Sequence, residues 1–162
     1  MRRRHPTPRR TDGFTLVELV VVMSILGLLA AVAVPGFGAF GREQRIRTAA
    51  FDLVADLLLA RSEAILRAST VTVVGQGEGW NAGWTVRVDG GLHVGTVVQR
   101  RDGPGRGVEL SGADAIAFDR NGRLVGGGGA RIAISDRDAG TVKRCIEIDL
   151  GGMARSRSGP CA

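Results

Sequence analysis

The 162 residues are 44% hydrophobic and only 4% aromatic, with 25 glycines, five prolines and no tyrosine. That is too apolar for a disordered chain, too rich in glycine and valine for an all-helical bundle, and lacks the collagen period, which leaves a small turn-rich globular domain. The formal charge of +6 is concentrated in a leader: residues 1–13 hold five arginines against Asp12, so the remainder carries 17 basic and 15 acidic side chains, a net of +2. Without that leader, the electrostatic case for an anionic partner largely disappears.

After Gly13 the chain runs from Phe14 to Val34 with one charge, Glu18, before Pro35. As a helix this stretch reaches roughly 30 Å at about 1.5 Å per residue, the thickness of a bilayer's hydrocarbon core. A secretory signal has a shorter apolar run with its small-residue cleavage site behind it, whereas here the small residue comes first, so a cut at Gly13 leaves the apolar helix on the mature chain. An ionised Glu18 in hydrocarbon needs a partner. The amine freed on Phe14 by such a cut is one, within the chain or in a neighbouring subunit; a glutamate snorkelling to the interface is the alternative.

Gly13-Phe14-Thr15-Leu16-Val17-Glu18 followed by an apolar helix resembles the class III signal of type IV pilins and type II secretion pseudopilins. In that family a prepilin peptidase cuts after the glycine and methylates the new N-terminal phenylalanine, and the glutamate registers subunits in the filament. By resemblance these roles fall to Gly13, Phe14 and Glu18. The implied partners are the prepilin peptidase, other major and minor pseudopilins or pilins, an inner-membrane assembly platform and the membrane itself. The implied location is the bacterial inner membrane, single-pass, with a periplasmic C-terminal region that joins a filament after processing.

Beyond Pro35 the helical period continues in amphipathic form through Ile46, Ala50, Leu53, Leu57, Ala60 and Ala64, with Phe51, Val54, Leu58 and Ile65 widening the apolar stripe. Arg42, Glu43, Arg45, Arg47, Asp52, Asp56, Arg61, Glu63 and Arg67 populate the other side. One long helix from about Phe14 to Ala68 is expected, bent or loosened near Gly27, Pro35, Gly36 and Gly38.

From Thr70 the pattern becomes short β-branched runs at 70–74, 84–88, 95–99, 115–118, 131–134 and 143–150, broken by glycine and read as antiparallel strands. Asp89-Gly90-Gly91 and Asn121-Gly122 are turn signals, and 103–107 and 126–129 are glycine-rich connections. The expected fold is α+β, a long N-terminal helix packed on a small antiparallel β-sandwich. Its parts are a cleaved basic leader (1–13), a transmembrane or filament-core helix (14–35), an amphipathic helix half (36–69) and a periplasmic β-rich region (70–162).

That architecture, with 79–84 (Gly-Trp-Asn-Ala-Gly-Trp) and 116–123 (Ile-Ala-Phe-Asp-Arg-Asn-Gly-Arg), is similar to the H-type minor pseudopilins of type II secretion and the minor pilins grouped with them. The resemblance implies a structural subunit that assists pseudopilus assembly and protein secretion across the outer membrane. Some relatives in this branch bind DNA through arginines of a C-terminal Gly-Arg-any-Arg motif. The tail here reads Gly152-Met153-Ala154-Arg155-Ser156-Arg157, with Ala154 in place of the glycine. Lys143, Arg144, Arg155 and Arg157 are therefore the candidate phosphate contacts of a DNA-uptake pilin, against a solvated basic tail as the alternative.

Cys145 and Cys161 stand 16 positions apart, neither a zinc-finger nor a redox dithiol spacing. In a periplasmic domain they are expected to form a disulfide that ties the tail to a strand, two free thiols being the alternative. No metal or cofactor is expected. The only histidines are His5 in the leader and His93 near a turn, and no phosphate-loop or dinucleotide motif is present. Trp80 and Trp84 read as packing residues, and the chain reads as a structural subunit rather than an enzyme.

Overall fold

The computed structural model describes residues 14–77 and 79–161, and these fall into two units divided after Ala39. Helix α1 covers Leu16–Leu66. In its first part every described side chain from Phe14 to Ala31 is exposed, including Phe14 at 81% and Leu28 at 72%. Ser24 satisfies its hydroxyl within this apolar stretch by donating to the Val20 carbonyl, 2.8 Å away. Among the described residues no helix is long and apolar enough to cross a membrane. The apolar stretch with described side chains, Leu16–Ala31, reaches roughly 24 Å at about 1.5 Å per residue, and the rest of the expected span lies outside the described side chains.

The second part of α1 buries the expected stripe. Ile46, Ala50, Leu53, Leu57, Ala60 and Ala64 are all at most 1% exposed, joined by Ala49. Four alanines in that stripe let the helix lie close to what it covers. α1 ends in a Schellman motif, with the Ser69 N–H donating to the Ala64 carbonyl at 3.0 Å and the Ala68 N–H to that of Ile65 at 3.2 Å. This places Ala68 at φ 48°, a conformation that glycine adopts more readily.

Eight strands follow: β1 (Val71–Gln76), β2 (Gly79–Val88), β3 (Val97–Asp102), β4 (Val108–Gly112), β5 (Ala115–Phe118), β6 (Ala130–Asp136), β7 (Thr141–Ile148) and β8 (Ala154–Ser158). They form two antiparallel sheets, ordered β3-β2-β1-β5 and β4-β6-β7-β8. In the first, Val71 lies between Val88 and Phe118 and Val73 between Val86 and Ile116, so six apolar side chains share one buried face. The second buries Leu110, Ile132, Ile134, Ile146 and Ile148 in the same way. Both faces and the helical stripe make one continuous core, in which Ile46 is the first of the described residues. Residues 40–162 thus carry a complete core of their own.

Six of these strands match the expected runs, while β4 and β8 are additional. The sequence Ala-Arg-Ser-Arg-Ser of β8 has almost no apolar face, because an edge strand needs only backbone pairing on one side and a single small inward residue, Ala154. The last expected run, 143–150, stops at Ile148. Gly152, at φ 80°, closes a turn in which its N–H bonds the Asp149 carbonyl at 2.9 Å. Asn121-Gly122 turns as expected, and Asp119 accepts the N–H groups of Arg123 and Asn121 at 2.9 Å each. Those bonds, Arg123's foremost, hold the Asp119 carboxyl below the usual carboxylate range. Asp89-Gly90-Gly91 is instead part of a longer connection with a short 3-10 turn at Gly91–His93.

The helical period misplaces residues on both sides. Of the four that were expected to widen the apolar stripe only Val54 packs against the core, while Phe51, Leu58 and Ile65 are exposed because it is the close-packed alanine stripe that meets the sheets. Asp56, expected on the polar side, is 3% exposed. Its Oδ2 accepts from Trp84 Nε1 and from Arg101 Nε, each at 2.7 Å, and its Oδ1 accepts from Arg101 Nη2 at 3.0 Å. Asp52 lies 3.5 Å from the same guanidinium. The hydrogen bond to Asp56 raises the Arg101 pKa further, so the guanidinium stays charged. Elsewhere Arg61 Nε donates to the Gly122 carbonyl at 2.9 Å, fastening α1 to the Asn121-Gly122 turn. Asp56→Ala would leave a buried indole N–H and a guanidinium without their acceptor. We expect it to lower the stability of residues 40–162 by about 3 kcal/mol, read as a reduced urea midpoint at unchanged slope.

Candidate functional site

The N-terminal site is organised by a helix start. Gly13 lies outside the described residues; Phe14 and Thr15 precede the first turn of α1. Thr15 Oγ1 accepts the Glu18 N–H at 3.2 Å, capping one of the donors that every helix leaves unpaired at its N-terminus. Glu18 sits in that first turn, where the helix dipole favours a negative charge. Thr15 was not among the expected functional residues, although Thr-x-x-Glu is a capping-box pattern legible in the sequence. Two constraints thus converge on the segment: a helix that starts two residues after Phe14, and a carboxylate four positions from Phe14.

The second candidate site lies on β7 and β8. Cys145 and Cys161 are joined in a disulfide with Cα atoms 5.1 Å apart, which draws the tail back over β7 and buries Cys145 completely. The four candidate phosphate contacts are not gathered into one patch. Arg155 stands across from Glu147, which stands across from Arg131, so a carboxylate separates two guanidiniums in one row. Arg157 Nη2 donates to Glu147 Oε1 at 2.8 Å, and Arg131 Nε lies 3.9 Å from the same oxygen. Lys143 is exposed where the β6–β7 register shifts. Arg144 alternates with the outward-facing residues and turns toward α1, with Nη1 3.4 Å from Ser156 Oγ. Sequence proximity grouped these residues, but the alternation of a strand sends neighbours to opposite faces.

Trp80 and Trp84 are buried, with ring centroids 6.5 Å apart, and each indole N–H is used internally: Trp80 bonds the Ala113 carbonyl at 2.7 Å and Trp84 bonds Asp56. Neither offers a face for stacking a ligand. His93 is exposed on the 3-10 turn. Among the described residues no group of three or more His, Cys, Asp or Glu side chains is placed to hold a metal ion.

Residues 49–152 match the family model described as type II transport protein GspH, and residues 8–34 match that of the prokaryotic N-terminal methylation motif. The type IV major pilin protein PilA of Myxococcus xanthus (strain DK1622) is 55% identical over 31 residues, 19% of this chain and 14% of that protein. A fimbrial protein of Pseudomonas aeruginosa is 37% identical over 59 residues, 36% of this chain and 38% of that one. The chain therefore spans well under half the length of these curated relatives. The fold is similar to the crystal structure of the type IV minor pilin FimU of Pseudomonas aeruginosa (strain PAO1), with a TM-score of 0.60 at 22% identity over 75% of this chain and 92% of that one. A second crystal form of FimU gives 0.57 at 24% identity over 70% and 92%.

Reducing the disulfide frees a 16-residue separation, and for a loop of that size the loss of stability is about 3 kcal/mol on the loop-entropy account. Denaturation of residues 40–162 with and without dithiothreitol should show that shift. Cys145→Ser with Cys161→Ser should reproduce it and abolish the response to reductant.

Proposed function

The chain belongs to the GspH family of type II transport proteins, and on that premise we propose that it is a minor subunit of a type II secretion pseudopilus that assists pseudopilus assembly and protein secretion across the outer membrane. Members of the pilin and pseudopilin families are structural subunits rather than enzymes. The observation that carries the reading is that one chain joins a methylation motif at 8–34 to a GspH domain at 49–152. In this reading, residues 1–13 are cut away by a prepilin peptidase, Phe14 becomes the methylated N-terminus, and Glu18 pairs with that amine or a neighbour's during assembly. Residues 14–35 anchor the chain in the inner membrane and then pack in the filament, the segment 36–69 carries the helix on to its end at Leu66, and 70–162 lie in the periplasm. The exposure of every apolar side chain from Phe14 to Ala31 supports this, since such a surface requires lipid or other subunits to cover it.

The test is secretion together with processing. Cells lacking this chain should fail to release their outer-membrane-crossing secreted proteins. Complementing protein, analysed by mass spectrometry, should begin at Phe14 and carry one methyl group. Gly13→Val, which adds a branched side chain where the backbone must be closely approached, should leave residues 1–13 attached and fail to restore secretion. An intact Met1 terminus on a functional protein would defeat the reading.

A second reading, a minor type IV pilin that contacts DNA, is favoured by the likeness to FimU and by the exposure of Arg155 and Arg157 on β8. It is weakened by Glu147, which lies among those arginines, and by the net charge of +2 beyond the leader. If DNA is bound, Arg155→Ala with Arg157→Ala should weaken binding by residues 40–162 and flatten its log–log salt dependence by roughly one unit per lost phosphate contact. We expect instead negligible DNA affinity near physiological salt, checked by fluorescence anisotropy with a labelled duplex.

A further inference from the structure

A groove of about 430 Å³ runs between α1 and β7–β8, with Phe51 and Val54 on its helical side and Arg144 and Ser156 on its strand side. Arg144 is the informative residue. Its Nε is buried and has no hydrogen-bond partner, its Nη1 reaches Ser156 Oγ at 3.4 Å, and no carboxylate pairs with it among the described residues. A partly desolvated guanidinium whose one side-chain bond is a long one to a hydroxyl favours a carboxylate at its accessible nitrogens. Beside it Phe51 is 74% exposed, and Leu58 and Ile65 continue an exposed apolar row along α1 at seven-residue steps. Arg47, on the groove rim, is held by Glu43 at 3.1 Å and adds positive character without being free to bind as Arg144 is.

We propose that this groove is a docking site for a neighbouring, different pilin-like subunit, which inserts an apolar side chain against Phe51 and Val54 and sets an adjacent carboxylate on Arg144. The proposal rests on the assembly role above and names the surface through which it acts. Charge complementarity selects the occupant. A carboxylate supplies the counter-charge that the Arg144 guanidinium lacks, and an apolar neighbour covers the phenylalanine. DNA fits less well, since a phosphate track needs several unpaired cations in a row, and of the two arginines that line this groove Arg47 is paired with Glu43. A second copy of the chain approaching by the same face would set Arg47 and Arg144 against their own counterparts, a like-charge contact.

The experiment places p-benzoylphenylalanine at position 51 of the full chain in producing cells, irradiates them, and identifies the product and its cross-linked peptide by mass spectrometry. The expected product is another subunit bearing an N-terminal methylation signal, linked through a peptide in which Asp or Glu adjoins an apolar residue. It should fall at least tenfold with Arg144→Glu and return when that partner's acidic residue is changed to arginine. Arg144→Gln, which keeps the size and loses the charge, should give a smaller loss. Thermal melts of residues 40–162 carrying each change identify which variants keep the fold, and the gentler substitution decides if Arg144→Glu unfolds. A product insensitive to folded Arg144 variants, a product with DNA or with a second copy of this chain, or no product from chain that is processed and recovered with other pilin-like subunits overturns the groove and leaves the assembly role standing. Chain that is neither processed at Gly13 nor recovered with any such subunit overturns both.

Discussion

The placement of the helix on the first sheet depends on a buried carboxylate. The stripe that α1 presents to the sheets is rich in alanine, and small side chains pack closely but mark position poorly along the helix axis. Asp56 supplies what they lack, because a carboxylate removed from water must have its acceptors filled, and this placement of α1 brings Trp84 and Arg101 to it together. Arg61 on the Gly122 carbonyl is a second directional fastening, about one and a half turns further along the helix. Apolar burial supplies the bulk of the attraction between helix and sheets, and these few polar contacts set the register.

That register has consequences at the other edge of the molecule. With the stripe of Ile46, Leu53 and Leu57 committed to the core, Phe51, Leu58 and Ile65 are left on a different side of α1 and remain exposed. The helix therefore offers two apolar faces, one satisfied within residues 40–162 and one not. A filament subunit has reason to be built this way, since each subunit must fold before it is incorporated and still keep apolar surface for its neighbours. The Phe14–Ala31 stretch takes the same logic further, with no described side chain buried at all.

On the second sheet the disulfide and the charges act together. Closing Cys145 to Cys161 folds the tail onto a strand whose partner, β8, carries almost no apolar side chain of its own. A polar edge strand held by backbone pairing on one side gains from such a covalent tie. Glu147, bonded to Arg157 and near Arg131, sets a carboxylate among the three arginines of what the composition presents as a basic tail.

Local patterns settled much of this protein before any tertiary structure was needed. The period of the stripe from Ile46 to Ala64, the alternation in β1, β6 and β7, the Asn121-Gly122 turn and the segment from Gly13 to Glu18 are properties of residues near one another in the chain. Backbone geometry alone converts such patterns into helix, strand and turn. The pairing of the two cysteines was legible for a different reason, since with only two there is one possible bridge. What the tertiary structure decided is which polar residues lose water and which face each meets. Asp56 looked solvated by period, yet its partners stand 28 and 45 positions away on strands whose approach no local signal specifies. β8 looked like a tail because its pairing with β7 is backbone to backbone and leaves no apolar trace. Lys143 and Arg144 looked like parts of one patch because they are adjacent, but a register shift and strand alternation direct them differently. Periodicity reports only the environment that a residue's own element creates; a desolvated charge, an edge pairing or a groove is created by a second element, and so becomes visible only when the two have met.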